Sequence, residues 1–209
     1  KRQGTVSENN SQYDVIVIGA GVAGLYQLFK LRQLKLKALV IEAGDNVGGT
    51  WYWNRYPGAR FDSESWSYGY SFSKELFEEW DWPEHFAAQP DTLRYLNYVA
   101  DKFDFRRDIK FDRRVEACVF DQQDNLWTVR TNTKEEYVAR FLITALGPLS
   151  AFTLPNIEGR ETFKGPAYHT ARWPHEEVDF SGKRVGIIGT GACAIQTIQT
   201  IAKDVAHLT

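Results

Sequence analysis

The sequence predicts an α/β protein in which a strand–turn–helix unit occurs twice, and three observations predict it. The apolar run Val15-Ile16-Val17-Ile18 leads directly into Gly19-Ala20-Gly21-Val22-Ala23-Gly24. A second run, Val185-Gly186-Ile187-Ile188, leads into Gly189-Thr190-Gly191-Ala192-Cys193-Ala194. After the first turn come a helical rhythm and a second strand, Ala38 to Ile41, with the acid Glu42 at its end. One such turn is a weak signal, because short glycine patterns arise by chance. Two of them, each between a strand and a helix, imply two dinucleotides held in one protein. That pairing suits electron transfer from a nicotinamide to a flavin.

Taken in order, Lys1 to Gln12 is polar and reads as a flexible arm. Tyr13 to Ile18 is short, β-branched and followed at once by glycine, the pattern of a buried parallel strand. Leu25, Leu28, Phe29 and Leu31 give the stretch from Leu25 to Leu34 its helical rhythm. Ala38 to Ile41 is the next strand, completing a βαβ unit of about thirty residues. The glycine- and aromatic-rich stretch from Gly44 to Tyr70 is too irregular for one element. Lys74 to Trp80 and Thr92 to Phe103 read as helices, with Pro90-Asp91 as stop and start between them. Val115 to Phe120, Leu126 to Arg130 and Tyr137 to Ile143 form a strand meander inserted in the first domain, turning at Asp124-Asn125. Gly147-Pro148 and Pro155 to Gly159 break the chain, placing a domain boundary near residues 147 to 160. Ser181-Gly182-Lys183-Arg184 leads into the second glycine-turn strand, and Ala192 to Ala202 is its helix. No second parallel strand is read before Thr209, so the second unit is expected to be incomplete. The organisation expected is an arm at 1–12, a first domain at 13–150, and a linker with half of a second domain at 151–209.

Composition narrows the function classes. Hydrophobic residues make up 43%, enough for a real core, and the net charge of −2 with scattered basic residues argues against a nucleic-acid surface. No run approaches the roughly 20 apolar residues of a membrane span, and the start lacks the apolar core of a secretory signal. Cys118 and Cys193 match no metal or redox spacing, which suits a reducing, cytoplasmic setting. The histidines show no metal spacing, so no metal site is expected. There is no methionine, so the natural start is expected to be trimmed or incomplete. Several of the seven tryptophans crowd between Trp51 and Trp82. They are expected to pack rather than to cage a ligand.

The first turn has a clear physical purpose. Gly19 permits the tight turn, Gly21 lets the backbone approach a pyrophosphate, and Gly24 allows close helix–strand packing. The helix N-terminus then offers free N–H groups to the phosphates. Glu42, about twenty residues on, can accept hydrogen bonds from ribose hydroxyls and disfavours a 2′-phosphate, so the first ligand is FAD or NAD. In the second turn Gly189, Thr190 and Gly191 follow the same logic. The residue that discriminates NAD from NADP would lie past Thr209, so the residues present leave that choice open. Cys193 stands near a helix N-terminus and reads as a small packing residue.

The stretch Gly48-Gly49-Thr50-Trp51-Tyr52-Trp53-Asn54-Arg55-Tyr56-Pro57-Gly58-Ala59-Arg60-Phe61-Asp62-Ser63-Glu64-Ser65 closely resembles the flavin-contacting segment of type I Baeyer–Villiger monooxygenases. Phe163-Lys164-Gly165-Pro166-Ala167-Tyr168-His169-Thr170-Ala171-Arg172-Trp173-Pro174 is similar to that family's fingerprint, and Gly147-Pro148-Leu149-Ser150 to its link between domains. The resemblance runs from about Tyr13 to the end. It implies two Rossmann-like domains binding FAD and NADP(H), with O₂ and a ketone as substrates and the remainder of a longer polypeptide completing the site. Reduced flavin would react with O₂, and the C4a-peroxide would attack the ketone carbonyl to give an ester or lactone.

By position, the resemblance puts Glu42 on the FAD ribose, Thr50, Trp51, Asp62 and Tyr68 along the flavin, and the Val115 backbone on the adenine. Arg60 and Asp62 would lie near the nicotinamide, and Thr190, Gly191 and Gln196 would grip the NADP pyrophosphate and ribose. Phe163, Gly165, His169 and Trp173 are the fingerprint positions, and His169 and Trp173 would couple NADP binding to domain rearrangement rather than move protons. Asp62 is the catalytic candidate: a carboxylate beside a flavin is a buried charge, costly unless paired. Its expected partner is an arginine outside this chain, placed to stabilise a negative intermediate. The alternatives are an N- or S-oxidising flavin monooxygenase and a non-catalytic flavin-binding fragment. A disulfide reductase is opposed by the absence of Cys-x-x-Cys. The 209 residues alone are expected to be inactive.

Overall fold

The computed structural model describes Gln12 to Thr209, so the expected arm at 1–12 lies outside the described residues except for Gln12, which opens the first strand. The described chain divides into two compact units, each made of two stretches. One comprises the residues up to Gly49 together with Leu96–Gly147, and the other Thr50–Tyr95 with Pro148–Thr209.

In the first unit, β1 (Gln12–Ile18), β2 (Ala38–Ile41), β3 (Ile109–Lys110), β4 (Val115–Asp121), β5 (Leu126–Thr131) and β6 (Glu136–Thr144) make a six-stranded sheet ordered β3-β2-β1-β6-β5-β4. The centre is parallel: β1 pairs with β2 on one side and β6 on the other, and β2 with β3. Val15, Ile16, Val17 and Ile18 are all buried, as expected of a central parallel strand. Ile16, Leu39, Ile41, Val129 and Ala139 form one core cluster, with Tyr13, Val115, Cys118, Tyr137 and Leu142 packed against it. The helix α1 (Val22–Gln33) lays Leu25, Leu28 and Leu31 on the sheet. Arg32 near its end donates to Asp108 and to the carbonyls of Phe103 and Asp104, 2.7 Å each, tying the helix to the turn before β3.

The second unit contains α2 (Thr50–Trp53), α3 (Ser65–Tyr68), α4 (Lys74–Glu79), β7 (Arg184–Val185), α6 (Ala192–Ile201) and β8 (His207–Leu208). The helix α5 (Gln89–Lys102) carries the chain from this unit into the first.

Several expectations need correction. The first helix begins at Val22 rather than Leu25, because Gly21 is an extended N-cap and the helix starts on the next residue. The third strand of the meander is not simply an insertion, since β6 pairs antiparallel with β5 and parallel with β1. Pro90 is no break: it sits in the first turn of α5, where the missing N–H would have had no partner. The irregular stretch from Gly44 to Tyr70 holds two short helices.

The second unit also closes further than expected. His207–Leu208 pairs in parallel with Arg184–Val185, completing a short βαβ crossover. The strand itself is Arg184–Val185 rather than Val185 to Ile188, and Ile188 is 80% exposed.

Candidate functional site

The first glycine turn is packed against backbone at Gly19, Gly21 and Gly24. Gly19 has φ +104°, and its N–H donates to the Ile41 carbonyl at 2.8 Å. A Cβ there would lie 2.6 Å from the Ala145 carbonyl oxygen, and one on Gly24 would lie 1.9 Å from that of Gly19. Gly21 and Gly49 meet almost directly, a Cβ on Gly49 falling 2.7 Å from the Gly21 Cα. α1 therefore starts against the strand with no side chain between. Its N-cap makes no side-chain hydrogen bond and its first turn holds no acid, so its positive dipole end suits an anion.

Glu42 is 4% exposed at the end of β2. One carboxylate oxygen accepts from the Ala20 N–H at 2.7 Å and the other from the Gly44 N–H at 2.8 Å. These two bonds and the nearby helix end offset the burial of the charge. Each oxygen keeps a further lone pair, so the group that braces the turn can also accept from ribose hydroxyls. This bracing role was not read from the sequence. Val115 is half-buried at the start of β4, opposite Thr131 and beside a register shift.

The second turn repeats the geometry. Gly189 has φ +123°, and Gly191 caps α6 at φ −77°, ψ 179°, against −81°, −168° for Gly21. α6 too lacks a side-chain cap and an acid in its first turn. Gly189, Thr190 and Gly191 are exposed.

In the segment after Gly49, Thr50 opens α2 and Trp51 is buried. The Trp51 indole donates to the Tyr68 hydroxyl at 2.7 Å, Phe61 stacks on Tyr68 at 4.5 Å, and Trp51 meets both rings edge-on. Burial raises the Tyr68 phenol above its ordinary pKa despite the Trp51 hydrogen bond, so it stays protonated. The tryptophans here pack on neighbouring aromatics: Trp80 and Trp82 lie against Tyr95, and Trp82 against Phe61.

Arg60 and Asp62 stand on the segment after α2. The Arg60 guanidinium pairs with Glu84 at 2.9 Å and is 42% exposed. Asp62 is exposed, next to the buried Phe61. Its charge reaches the Tyr56 hydroxyl, which burial raises most and Cys193 and Asp62 raise further. Gln196, placed on a cofactor by resemblance, is engaged by protein: its Oε1 accepts from Tyr56 at 2.9 Å, and its Nε2 donates to the Arg60 carbonyl at 3.0 Å.

In the fingerprint, Phe163 is 65% exposed with its ring folded over Gly165. His169 Nδ1 accepts from the Ala171 N–H at 3.1 Å, which leaves Nε2 to carry the proton of the neutral ring. Trp173 lies between Tyr168 and Phe180. Arg172 was missed by the sequence reading. Its guanidinium lies 5.3 Å from the Trp53 ring and 5.1 Å from that of Phe152, and it donates to the Ser150 carbonyl at 3.1 Å. Cation–π seats of this kind carry no signal in sequence spacing.

Comparison with known proteins places this geometry. The pyridine nucleotide-disulphide oxidoreductase family model matches residues 16–209. An acetone monooxygenase (methyl acetate-forming) of a Gordonia species is 50% identical over 195 residues, which is 93% of this chain and 37% of the relative. A phenazine N-monooxygenase of Lysobacter antibioticus is 44% identical over 205 residues, 98% of this chain and 38% of its own. Among solved structures, an oxidized steroid monooxygenase bound to NADP is 54% identical with a TM-score of 0.89, covering 95% of this chain and 38% of that one. The complex of OTEMO with FAD and NADP is 50% identical, also with a TM-score of 0.89, covering 94% and 38%. The chain thus spans little more than a third of the length of these relatives. No helix among the described residues is long and apolar enough to cross a membrane. The chain belongs to the pyridine nucleotide-disulphide oxidoreductase family, and it is similar to part of the length of Baeyer–Villiger and other flavin monooxygenases.

Proposed function

We propose that this chain supplies the FAD site and part of the NADPH site of a monooxygenase that inserts oxygen from O₂ beside a ketone carbonyl, giving an ester or lactone. The observation that carries the reading is the pair of glycine turns with one backbone geometry, each opening a helix whose N-terminus is uncapped and free of acid. The fold at the first turn fits FAD: Gly21 and Gly49 pack backbone to backbone with no side chain between, so the start of α1 presents bare main chain, and Glu42 retains lone pairs for ribose hydroxyls. Bound and reduced, the flavin supplies the activation of O₂.

The residues of the chain do the rest. The N-terminus of α1 binds and orients the pyrophosphate. Gly189, Thr190 and Gly191 receive the nicotinamide dinucleotide, and relatives solved with NADP favour NADP over NAD there. Asp62 pairs with an arginine from the remainder of the polypeptide, which draws it out of water. His169, its Nδ1 held by Ala171, couples the fingerprint to the domains rather than transferring protons. Residues 13–150 are the N-terminal part of the FAD domain and 151–209 the linker and first half of the NADP domain. Two free cysteines suit a reducing cytoplasm.

The test uses the holoenzyme. NADPH added without oxygen should bleach the flavin, and oxygen with a ketone panel should yield products heavier by one oxygen atom. A flavin that NADPH does not bleach overturns the reading. The phenazine N-monooxygenase relative favours a second reading, oxidation at nitrogen. N-oxides from heteroaromatic amines, with no ester from any ketone, would establish it. The 209 residues alone should retain no turnover, since two cofactor sites need the remaining polypeptide.

A further inference from the structure

The helix of the second glycine turn carries a seat that none of the roles above requires. The Gln196 carboxamide faces the backbone of Arg60 as a strand partner would: Oε1 accepts from the Arg60 N–H at 3.4 Å, and Nε2 donates to its carbonyl at 3.0 Å. Oε1 also accepts from the Tyr56 hydroxyl at 2.9 Å. Arg60 is further bridged to Ala88 in antiparallel fashion, and the Gln89 N–H donates to Ala59 at 2.8 Å. Between these anchors Gly58, at φ +80°, lies flat on the helix. A Cβ there would fall 2.2 Å from Thr200 Oγ1 and 2.5 Å from the Gln196 carbonyl oxygen. The threonine cannot easily yield, since its hydroxyl is bonded to that carbonyl at 2.9 Å. A backbone this close, with one amide spent on a single residue's N–H and C=O, is a built contact.

We propose that Tyr56, Gly58 and Gln196 form a docking seat through which α6, the helix that receives the nicotinamide dinucleotide, fixes the loop from Tyr56 to Asp62. Gln196 is then a positioning residue for Arg60 and Asp62, whatever it also contributes to the dinucleotide. The inference rests on the function proposed above for its catalytic consequence. With the seat broken, reduced enzyme should pass its electrons to oxygen without substrate, NADPH, H⁺ and O₂ giving NADP⁺ and H₂O₂.

The test compares the wild-type holoenzyme with Gly58→Ala, Gln196→Leu, their combination and Tyr56→Phe. Each single variant should retain FAD, and product formed per NADPH should drop about fivefold for Gly58→Ala and Gln196→Leu, and less for Tyr56→Phe, as expected of one or two lost hydrogen bonds. The double variant should be no worse than either single, because both break one seat. NADP⁺ should slow hydrogen exchange over residues 56–62 in the wild type and not in Gly58→Ala. Where Gly58→Ala fails to fold, Tyr56→Phe carries the test, since it removes one oxygen and leaves the backbone untouched. Folded variants with wild-type product yield, or exchange over 56–62 that ignores NADP⁺, overturn the inference. A wild type that forms no product refutes the function instead, and the exchange experiment still decides the seat.

Discussion

At Gly19 the chain turns with φ +104° and at Gly189 with φ +123°, and the helices that follow begin on N-caps with nearly the same dihedrals. Around them the two turns diverge. A Cβ on Gly19 would strike the Ala145 carbonyl at 2.6 Å, whereas one on Gly189 or Gly191 meets nothing within 4 Å among the described residues. The first turn is also braced by Glu42, whose two oxygens hold Ala20 and Gly44. Turn geometry is therefore a local property of the glycine pattern. Rigidity comes from neighbours that other parts of the chain deliver, here β6 and β2.

Substitutions can break this comparison, and the largest effect is expected at Gly24. Alanine there would place Cβ 1.9 Å from a carbonyl oxygen that belongs to the turn itself. Gly24→Ala should cost on the order of 3–5 kcal/mol of unfolding free energy, with release of any bound FAD. The equivalent residue of the second turn is already alanine, Ala194, and is accommodated there at 8% exposure. A Gly24→Ala protein as stable as wild type in denaturant unfolding would remove the packing distinction.

A matched pair isolates packing from backbone strain. Gly19→Ala and Gly189→Ala both force a side chain into positive φ, costing roughly 1–2 kcal/mol each. Only Gly19→Ala adds a collision, so it should cost about 2 kcal/mol more than its counterpart. Equal losses in the two variants, measured by unfolding, would mean that φ alone decides.

Acid should reveal the smallest difference. Glu135, in the first unit, is held below the usual carboxylate range by the Thr133 hydroxyl first and by Arg113 and Tyr137 after it. Asp179, before the second turn, is held down by Ser181 and then Lys183. A lowered carboxyl contributes stability above its unfolded pKa and loses it as pH falls through the folded one. Both units should thus weaken slightly on acidification below the ordinary carboxylate pKa. Both groups are exposed enough for solvent to screen most of the effect. Glu135→Gln should flatten the acid limb of the stability curve, and Asp179→Asn should flatten it less. An acid limb that neither substitution changes would show that these contacts contribute nothing.

What could be read in advance followed from short-range rules. The strand Ala38–Ile41 has the bounds expected of its short apolar run, and Glu42 follows it directly. Boundaries slipped where a cap outweighed the apolar pattern, as at Val22, or where proline fitted a first turn, as at Pro90. The two-residue strands β3 and β8 were invisible because neither is long enough to show a period. Among the site residues, Arg172 was passed over because a guanidinium seated on the rings of Trp53 and Phe152 leaves no mark in spacing.

By itself the sequence determined both glycine turns, the helices they open and the family, since each rests on residues adjacent along the chain. Only the tertiary structure decided that β6 would close the first turn with Ala145, that Arg172 would lie between Trp53 and Phe152, and that Gln196 would hold Arg60. Gln196 and Arg60 stand 136 residues apart, and an amide meeting a backbone leaves no pattern that spacing can reveal. Local conformation is encoded by neighbours in sequence, and contact by neighbours in space.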